Sequence, residues 1–208
     1  MIKIILIDWA KNFVKSERDV GYNWFYNKHG IHSILQNMQT KTSQAFELIL
    51  VLNDTKLNKE YDYLKSEFKF IDKIIYRKSN VGLDFGAYDT GYTYLKQTDY
   101  YGNLVFMNTA CIGPITDNWL APYIDLFKTG SNIGLVGSSY CGYAIAHKDK
   151  QFLPHIQSYF LFTNMAVMDS TFPNQLPYPK SKDKKEVIQS GEIEFSQKIL
   201  NAGYTIKA

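Results

Sequence analysis

The chain has 208 residues, of which 45% are hydrophobic and 21% are charged, and its formal net charge is +3. This length fits one domain with a core of its own, and the composition is typical of a soluble globular protein. The net charge is too small to argue for a nucleic-acid partner. No apolar stretch approaches the length of a membrane span.

Cysteine usage points to a reducing compartment. Cys111 and Cys141 make neither a disulfide framework nor a metal-ligand spacing. The apolar run that opens the chain is not followed by the pattern of a signal peptide. The sequence therefore predicts a cytoplasmic protein, in the host cytoplasm for a viral one.

Short apolar runs alternate along the chain with segments of helical periodicity. The runs that predict strands lie at 2–7, 46–52, 73–77, 103–107, 133–136 and 204–206. Helical spacing is found at 22–39, 58–68, from the glycine loop through Leu95, 117–127 and 192–201. Residues 155–168 fit one or two strands, or a strand followed by a helix. The remaining segments predict irregular structure at 137–149, a proline-rich loop at 173–179 and an exposed lysine-rich loop at 180–185.

This alternation predicts an α/β fold with a central, mostly parallel sheet flanked by helices and joined by right-handed crossovers. Neither an internal repeat nor a linker interrupts the pattern, so we expect one domain over residues 1–208. The chain ends at Ala208 in strand-like sequence. Such an ending suggests a domain from a longer protein with further domains C-terminal to it, and a natural end is the alternative.

The stretch Tyr76–Pro114 combines a glycine loop, a helix and an apolar strand. In its loop, Asn80 and Gly82 precede Asp84 where a strand passes into the helix. Unpaired N–H groups and the positive end of the helix dipole favour phosphate at such a place. A plain tight turn is the simpler interpretation of the two loop residues, and an N-cap is the structural alternative for Asp84. The functional alternative for Asp84 is to bind a divalent cation or a sugar hydroxyl.

Polar residues also follow the predicted strands. Asp8 ends the first strand, Asp54 follows the second, and Asn108 and Thr109 end the strand at 103–107. Ligands of open parallel sheets bind outside the carboxyl ends of the strands, so these residues are candidates for nucleotide binding. A turn or helix N-cap explains Asp54 about equally well.

Two further groups are candidates for the reaction itself. The alternation of His155, Gln157 and Tyr159 puts three polar side chains on one face of a strand, where they would line a sugar or acceptor cleft. Glu192 precedes an amphipathic helix, and favourable charge at the helix N-terminus is its structural alternative. Transfer to a hydroxyl needs a base, and a carboxylate in a cleft is the simplest candidate.

Together these segments resemble a glycosyltransferase of the GT-A fold. The strand 46–54, the element Asn80-Val-Gly82 and the segment 191–204 are similar to the matching parts of family 2 transferases. A closer resemblance is to the rhamnan synthesis protein F group, carried by the motifs that begin at Asn80, Met107 and His155. The chain is also similar in size and type to a chlorella-virus glycosyltransferase of capsid glycans.

The resemblance implies transfer of a sugar from a UDP-sugar to a hydroxyl of a glycan or glycoprotein, with rhamnose or another hexose as the sugar. It aligns Glu192 with the catalytic base, with Asp84 as the second catalytic candidate. The GT-A metal motif Asp-x-Asp falls on Asn108-Thr-Ala110, without a carboxylate. Asp84 and Asn108 are then the candidate ligands of Mn²⁺ or Mg²⁺.

Two alternative functions remain open beside that of a glycosyltransferase. A catalytically silent nucleotide- or glycan-binding module agrees with the missing Asp-x-Asp. A nucleotidyltransferase would need a basic or glycine-rich triphosphate cradle, and no Walker-type sequence is present.

Overall fold

The computed structural model describes residues 1–9, 31–53, 61–110, 113–142 and 153–208. The strands in these ranges are β1 (Ile2–Trp9), β2 (Phe46–Asn53), β3 (Ile71–Tyr76), β4 (Asn103–Asn108), β5 (Ile133–Gly137), β6 (Tyr140–Cys141), β7 (His155–Ile156), β8 (Phe160–Asn164) and β9 (Thr205–Lys207). The helices are α1 (Ile31–Thr40), α2 (Tyr63–Glu67), α3 (Leu83–Lys96), α4 (Ala121–Lys128), α5 (Met165–Thr171), α6 (Lys184–Val187) and α7 (Glu194–Asn201). A π-helical turn, Ile188–Ile193, joins α6 to α7.

Seven of the strands form one sheet in the order β3-β2-β1-β4-β8-β5-β9. β1 pairs in parallel with both β2 and β4, and β2 pairs in parallel with β3. β8 is inserted antiparallel between β4 and β5, and β9 returns to a parallel pairing with β5. The mostly parallel sheet flanked by helices confirms the predicted fold class.

The core lies on both faces of this sheet because successive residues of a strand point to opposite faces. In β1, Ile4 and Leu6 pack on one face, with α1, α2 and α4. Ile5 and Ile7 pack on the other face, with α3, α5 and α7. Burial on both sides explains why the predicted strands are continuous apolar runs instead of alternating ones.

Several predicted boundaries were wrong. α4 begins at Ala121 instead of Asp117, because Asn118 has a positive φ of 52° and Pro122 lies in the first turn of the helix. The last helical segment begins at Lys184 instead of Glu192, because the side chain of Asp183 caps it. Two lysines of the predicted exposed loop therefore belong to α6.

The ambiguous segment 155–168 contains two strands and the start of a helix. β7 ends at Ile156, and β8 begins only at Phe160. The prediction that His155, Gln157 and Tyr159 share one face of a continuous strand was therefore wrong. A turn separates the two strands, and it changes the direction in which these side chains point.

Three of the remaining predictions fall partly outside the described residues. These are the first part of the helical segment 22–39, the start of the helix at 58–68, and most of the irregular segment 137–149. In the described part of the chain, no helix has the length and apolar character that crossing a bilayer requires.

Candidate functional site

A cleft of about 840 Å³ lies at the carboxyl ends of the central strands. The register of the sheet brings these ends together, because Ile7 is paired with Asn108 and Trp9 with Asn53. Most of the predicted site residues line this cleft, although they come from distant parts of the sequence: Asp8, Asn80, Asp84, Asn108, Thr109, Gln157, Tyr159 and Glu192. Gly82 and His155 are not among the lining residues, and Asp54 lies outside the described residues.

Asp84 and Asn108 face each other in the cleft. Nδ2 of Asn108 donates a hydrogen bond to Oδ2 of Asp84 at 2.7 Å, and Oδ1 of Asn108 accepts one from the N–H of Ala110 at 3.0 Å. The N-cap of α3 is Gly82, so Asp84 lies in the first turn and is not the cap. Its surroundings keep water away and raise its pKa to about 6, and the negative charge of Glu192 acts in the same direction.

Asp8 is another acid of the cleft, and it is buried. It lies at the end of β1, only 5% exposed, and its carboxylate accepts a hydrogen bond from Oγ1 of Thr109. Burial raises the pKa of Asp8 to about 6, against the opposing effect of that hydrogen bond. An acid with this environment favours a partner that brings hydrogen-bond donors, such as the hydroxyl groups of a ribose.

Glu192 is held from two sides. Nε2 of His155 lies 3.4 Å from Oε1 of Glu192, and the N–H of Ser158 donates to Oε2 at 2.6 Å. Burial alone would raise the pKa of Glu192, but the hydrogen bonds from His155 and Ser158 outweigh burial and lower it. The residue lies inside the π-helical turn and not at a helix N-terminus, so charge at a helix end does not explain its position. π-helical turns are frequent at functional sites.

Ser158 interacts with both Glu192 and Asp84. Its N–H donates a hydrogen bond to Glu192, and its side chain lowers the pKa of Asp84. The hydroxyl of Tyr88 donates to the carbonyl of Ser158 at 2.8 Å, which fixes the turn between β7 and β8 to α3. One short turn therefore contacts Glu192 directly and lies close to Asp84.

Gln157 and Tyr159, which flank that turn, form another part of the wall. Oε1 of Gln157 accepts hydrogen bonds from the hydroxyl of Tyr159 at 2.8 Å and from that of Ser139 at 2.6 Å. The amide nitrogen of Gln157 and the ring of Tyr159 thus present donors and a flat apolar surface at the cleft. Sugar hydroxyls and ring faces suit such a surface.

The glycine loop packs closely against the rest of the cleft wall. Gly82 has a φ of 73°, and a Cβ at this position would overlap the ring of Tyr178. The N–H of Gly82 donates to the carbonyl of Ser181 at 2.7 Å, so it is not free to bind phosphate. Leu83, which follows, also has a positive φ of 43°, a strained conformation for a side chain of this size.

The side chains of Arg77 and Asn53 form hydrogen bonds with the backbone of this loop. One guanidinium nitrogen of Arg77 donates to Oδ1 of Asn53, and the other donates to the carbonyl of Val81 at 2.9 Å. Nδ2 of Asn53 donates to the carbonyl of Leu83 at 3.4 Å. The loop conformation is therefore fixed by side chains from β2 and from the end of β3.

Among the polar and charged residues that line the cleft, sequence reasoning missed Asn53, Ser158, Lys182 and Lys184. Lys182 and Lys184 lie in the lysine-rich segment, which the sequence shows plainly but which looks like a solvated loop. No sequence pattern identified Ser158, because its hydrogen bond to Glu192 is made by its backbone N–H. Asn53 precedes Asp54, and its position at a strand end could have identified it.

The predicted cation ligands do not suit a divalent cation in this arrangement. Asn108 turns its amide NH₂ group toward Asp84 and its oxygen toward a backbone N–H. Hard cations need free oxygen electron pairs that converge on one point. Within the described ranges, no three His, Cys, Asp or Glu side chains are grouped so that they could hold a metal ion.

Comparison with a family model gives a match over residues 48–208, to the family described as rhamnan synthesis protein F. The match covers most of the chain, including the glycine loop and the helical segment with Glu192. A comparison with curated protein sequences finds no match.

Solved structures with a similar fold include two glycosyltransferases. The mannosyltransferase PcManGT from Pyrobaculum calidifontis, in complex with GDP-Man and Mn²⁺, matches 100% of this chain and 54% of its own, with a TM-score of 0.61 and 10% identity. TarS 1–349 of S. aureus, in complex with UDP-GlcNAc, matches over 97% of this chain and 53% of its own, with a TM-score of 0.58 and 11% identity. The chain therefore spans about half the length of these two proteins and shares their GT-A fold.

A nucleotidyltransferase has a similar fold as well. A putative glucose-1-phosphate thymidylyltransferase from Bacillus anthracis, in complex with a sucrose, matches 100% of this chain and 86% of its own, with a TM-score of 0.52 and 12% identity. Identities this low show the fold alone, so the fold does not separate the two enzyme classes.

Proposed function

The chain belongs to the rhamnan synthesis protein F family, and from this premise we propose that it is a glycosyltransferase domain that uses a nucleoside diphosphate sugar. The observation that carries the proposal is the convergence of Asp8, Asp84, Asn108 and Glu192 on one cleft at the carboxyl ends of the central strands. Open α/β sheets bind nucleotides at this edge. The donor we propose is a UDP-sugar, and the family suggests rhamnose as the sugar, with another hexose as the alternative.

We assign the cleft residues to different parts of the substrates. Asp8 accepts hydrogen bonds from the nucleoside, together with Thr109 and the neighbouring Asn80. Gln157 and Tyr159 contact the sugar or the acceptor glycan. We assign Asp84 and Asn108, which also line the cleft, to the diphosphate and the anomeric carbon.

Glu192 acts as the base. The acceptor hydroxyl oxygen forms a bond to the anomeric carbon while the bond from that carbon to the β-phosphate oxygen breaks. The electron pair of the broken bond leaves with the nucleoside diphosphate, and the hydroxyl proton passes to the carboxylate of Glu192. The ionic contact with His155 and the hydrogen bond from the N–H of Ser158 keep this carboxylate ionised and oriented before the reaction.

Glu192 has this role only if the reaction inverts the configuration. In a retaining enzyme it would orient the acceptor instead. Since Asp84 and Asn108 do not suit a preformed cation site, we propose no step through Mn²⁺ or Mg²⁺. We also propose that the protein is located in the cytoplasm.

The test is release of nucleoside diphosphate from a panel of donors. The full chain is incubated with UDP-, GDP- and dTDP-sugars, including UDP- and dTDP-rhamnose, with and without a rhamnose-containing oligosaccharide. We expect release with one nucleotide class that increases with the acceptor and is lost in Asp84→Ala. A folded protein that binds none of these donors would contradict the proposal.

A silent binding module is the second candidate, because Asn108-Thr-Ala110 offers no carboxylate and both oxygens of Glu192 already have partners, the imidazole of His155 and the N–H of Ser158. It predicts donor or glycan binding without release, and binding that Glu192→Gln leaves unchanged. Titration calorimetry beside the release assay separates the two candidates.

A further inference from the structure

We propose that Lys182 and Lys184 bind the donor diphosphate and supply the positive charge that a divalent cation would otherwise supply. This inference rests on the proposed function and names the groups that neutralise its substrate. Both lysines line the cleft with Asp84 and Glu192. They alternate with Ser181, Asp183 and Lys185 in the segment that leads into α6.

The segment is fixed to the cleft wall and is not a free surface loop. The carbonyl of Ser181 accepts the 2.7 Å hydrogen bond from the N–H of Gly82, and the ring of Tyr178 packs on that glycine. The side chain of Asp183 accepts from the N–H groups of Lys185 and Glu186, at 2.8 and 3.0 Å. These contacts place the backbone of Lys182 and Lys184 beside the glycine loop.

The charges of the two lysines are available to a ligand. Among the described residues, neither ammonium group has a carboxylate within 4.0 Å, although Lys184 is near enough to Asp84 to lower the pKa of that acid. By contrast, two acids of the cleft, the buried Asp8 and the partly buried Asp84, would repel a bare diphosphate. A cationic group is therefore needed between these acids and the phosphates.

The charge of the leaving group favours a lysine beside the diphosphate. The leaving nucleoside diphosphate gains one negative charge when the bond to the sugar breaks, and an ammonium group stabilises that charge at the moment it develops. A lysine acts as a mobile point charge on phosphate and needs no fixed donor geometry. The predicted cation ligands, Asp84 and Asn108, are instead hydrogen-bonded to each other.

The test is titration calorimetry of the full chain with UDP, GDP, CDP and dTDP, each in EDTA and in MnCl₂. The diphosphate that binds most tightly is then titrated into Lys182→Gln and Lys184→Gln. We expect affinity in EDTA within about twofold of that in MnCl₂, and a loss of about tenfold or more in each variant. The affinity for the matching nucleoside, which carries no phosphate, should stay unchanged in both variants.

Lys180→Gln and Lys185→Gln are matched controls, because these lysines are exposed in the same segment but do not line the cleft. Their affinity should change less than about twofold, and thermal melting checks that all variants fold.

Two other outcomes would overturn the inference in different ways. Binding that requires MnCl₂ and is equal in the wild type and both cleft variants would retain the proposed function and reject the lysines. The absence of binding to every diphosphate in both buffers would reject the proposed function itself.

Discussion

The imidazole of His155 lies against the carboxylate of Glu192, with Nε2 3.4 Å from Oε1. The other ring nitrogen, Nδ1, lies 2.8 Å from the carbonyl of Leu153 and donates to it, which fixes the ring. Both side chains are largely buried. Burial alone would lower the pKa of His155, but the contacts with Glu192 and with the carbonyl of Leu153 together outweigh burial and raise it. The pair therefore keeps Glu192 ionised where it lines the cleft.

Glu192→Gln should abolish most of the sugar transfer and leave donor binding intact. Glutamine keeps the size of the side chain and an oxygen for the N–H of Ser158, but it does not accept a proton. We expect kcat to fall by about 10²- to 10⁴-fold, with the donor Kd within about twofold of wild type. Rate measurements with saturating donor, beside calorimetry, give both quantities.

Glu194→Gln is the matched control, since Glu194 lies two residues further along the chain, is half-buried and pairs with Lys198 at 3.1 Å. Its kcat should stay within about twofold of wild type. Full activity in Glu192→Gln would show that another group takes the proton.

His155→Gln should change the pH dependence of stability. A histidine whose pKa is raised by folding contributes stability that is fully present below its ordinary pKa of 6.5 and is lost as the pH rises through the folded value. We therefore expect the free energy of unfolding of wild type to fall relative to that of His155→Gln as the pH rises from about 6 to about 8.5. Urea denaturation across this range measures the difference.

His32→Gln provides the comparison, because His32 forms its contact with Glu67 on the surface, where both side chains are about half exposed. The free energy of unfolding of this variant should stay close to that of wild type, because an exposed ion pair contributes little to stability. Parallel curves for wild type and His155→Gln would mean that the buried contact with Glu192 is not an ion pair.

Asp8→Asn should stabilise the fold near neutral pH. Because folding raises the pKa of Asp8 from 3.8 to about 6, the stability linked to this acid is present below pH 3.8 and is lost as the pH rises through about 6. Asparagine keeps an oxygen for Thr109 without the buried charge. We expect equal stability near pH 4 and a gain of about 2 kcal/mol in the variant at pH 7, with weaker nucleotide binding.

The exposed acid Asp99 provides the control, and Asp99→Asn should leave the stability at pH 7 within about 0.5 kcal/mol of wild type. If Asp8→Asn proved less stable than wild type at pH 7, the charge of Asp8 would be compensated by groups other than Thr109.

Gly82→Ala should destabilise the fold more than Gly203→Ala. Both glycines have positive φ, 73° and 90°, but a Cβ would overlap the ring of Tyr178 at the first position and would meet nothing within 4 Å at the second. Backbone strain costs about 1 kcal/mol at both positions, and the overlap should add about 1 to 2 kcal/mol at Gly82. Chemical denaturation of the two variants isolates the added cost, and equal losses would show that Tyr178 moves aside freely.

The sequence alone determined the fold class and the edge of the sheet where the cleft lies. Strands such as β1 and β4 are apolar throughout because they are buried on both faces, and this pattern is local enough to recognise without a structure. Polar residues at their ends, Asp8 and Asn108, then had to meet at one edge, because parallel strands place their carboxyl ends together.

Only the tertiary structure decided how the other side chains meet. His155 was expected to line the cleft, but it lies in β7, before the turn that carries Gln157 and Tyr159, and its imidazole contacts the carboxylate of Glu192 instead. Lys182 and Lys184 are exposed, as the sequence predicted, but the contacts of Tyr178 and Ser181 with Gly82 place their segment at the cleft. Such contacts join segments that are far apart in sequence, and no local periodicity records them, since they depend on how loops and helices pack against the finished sheet.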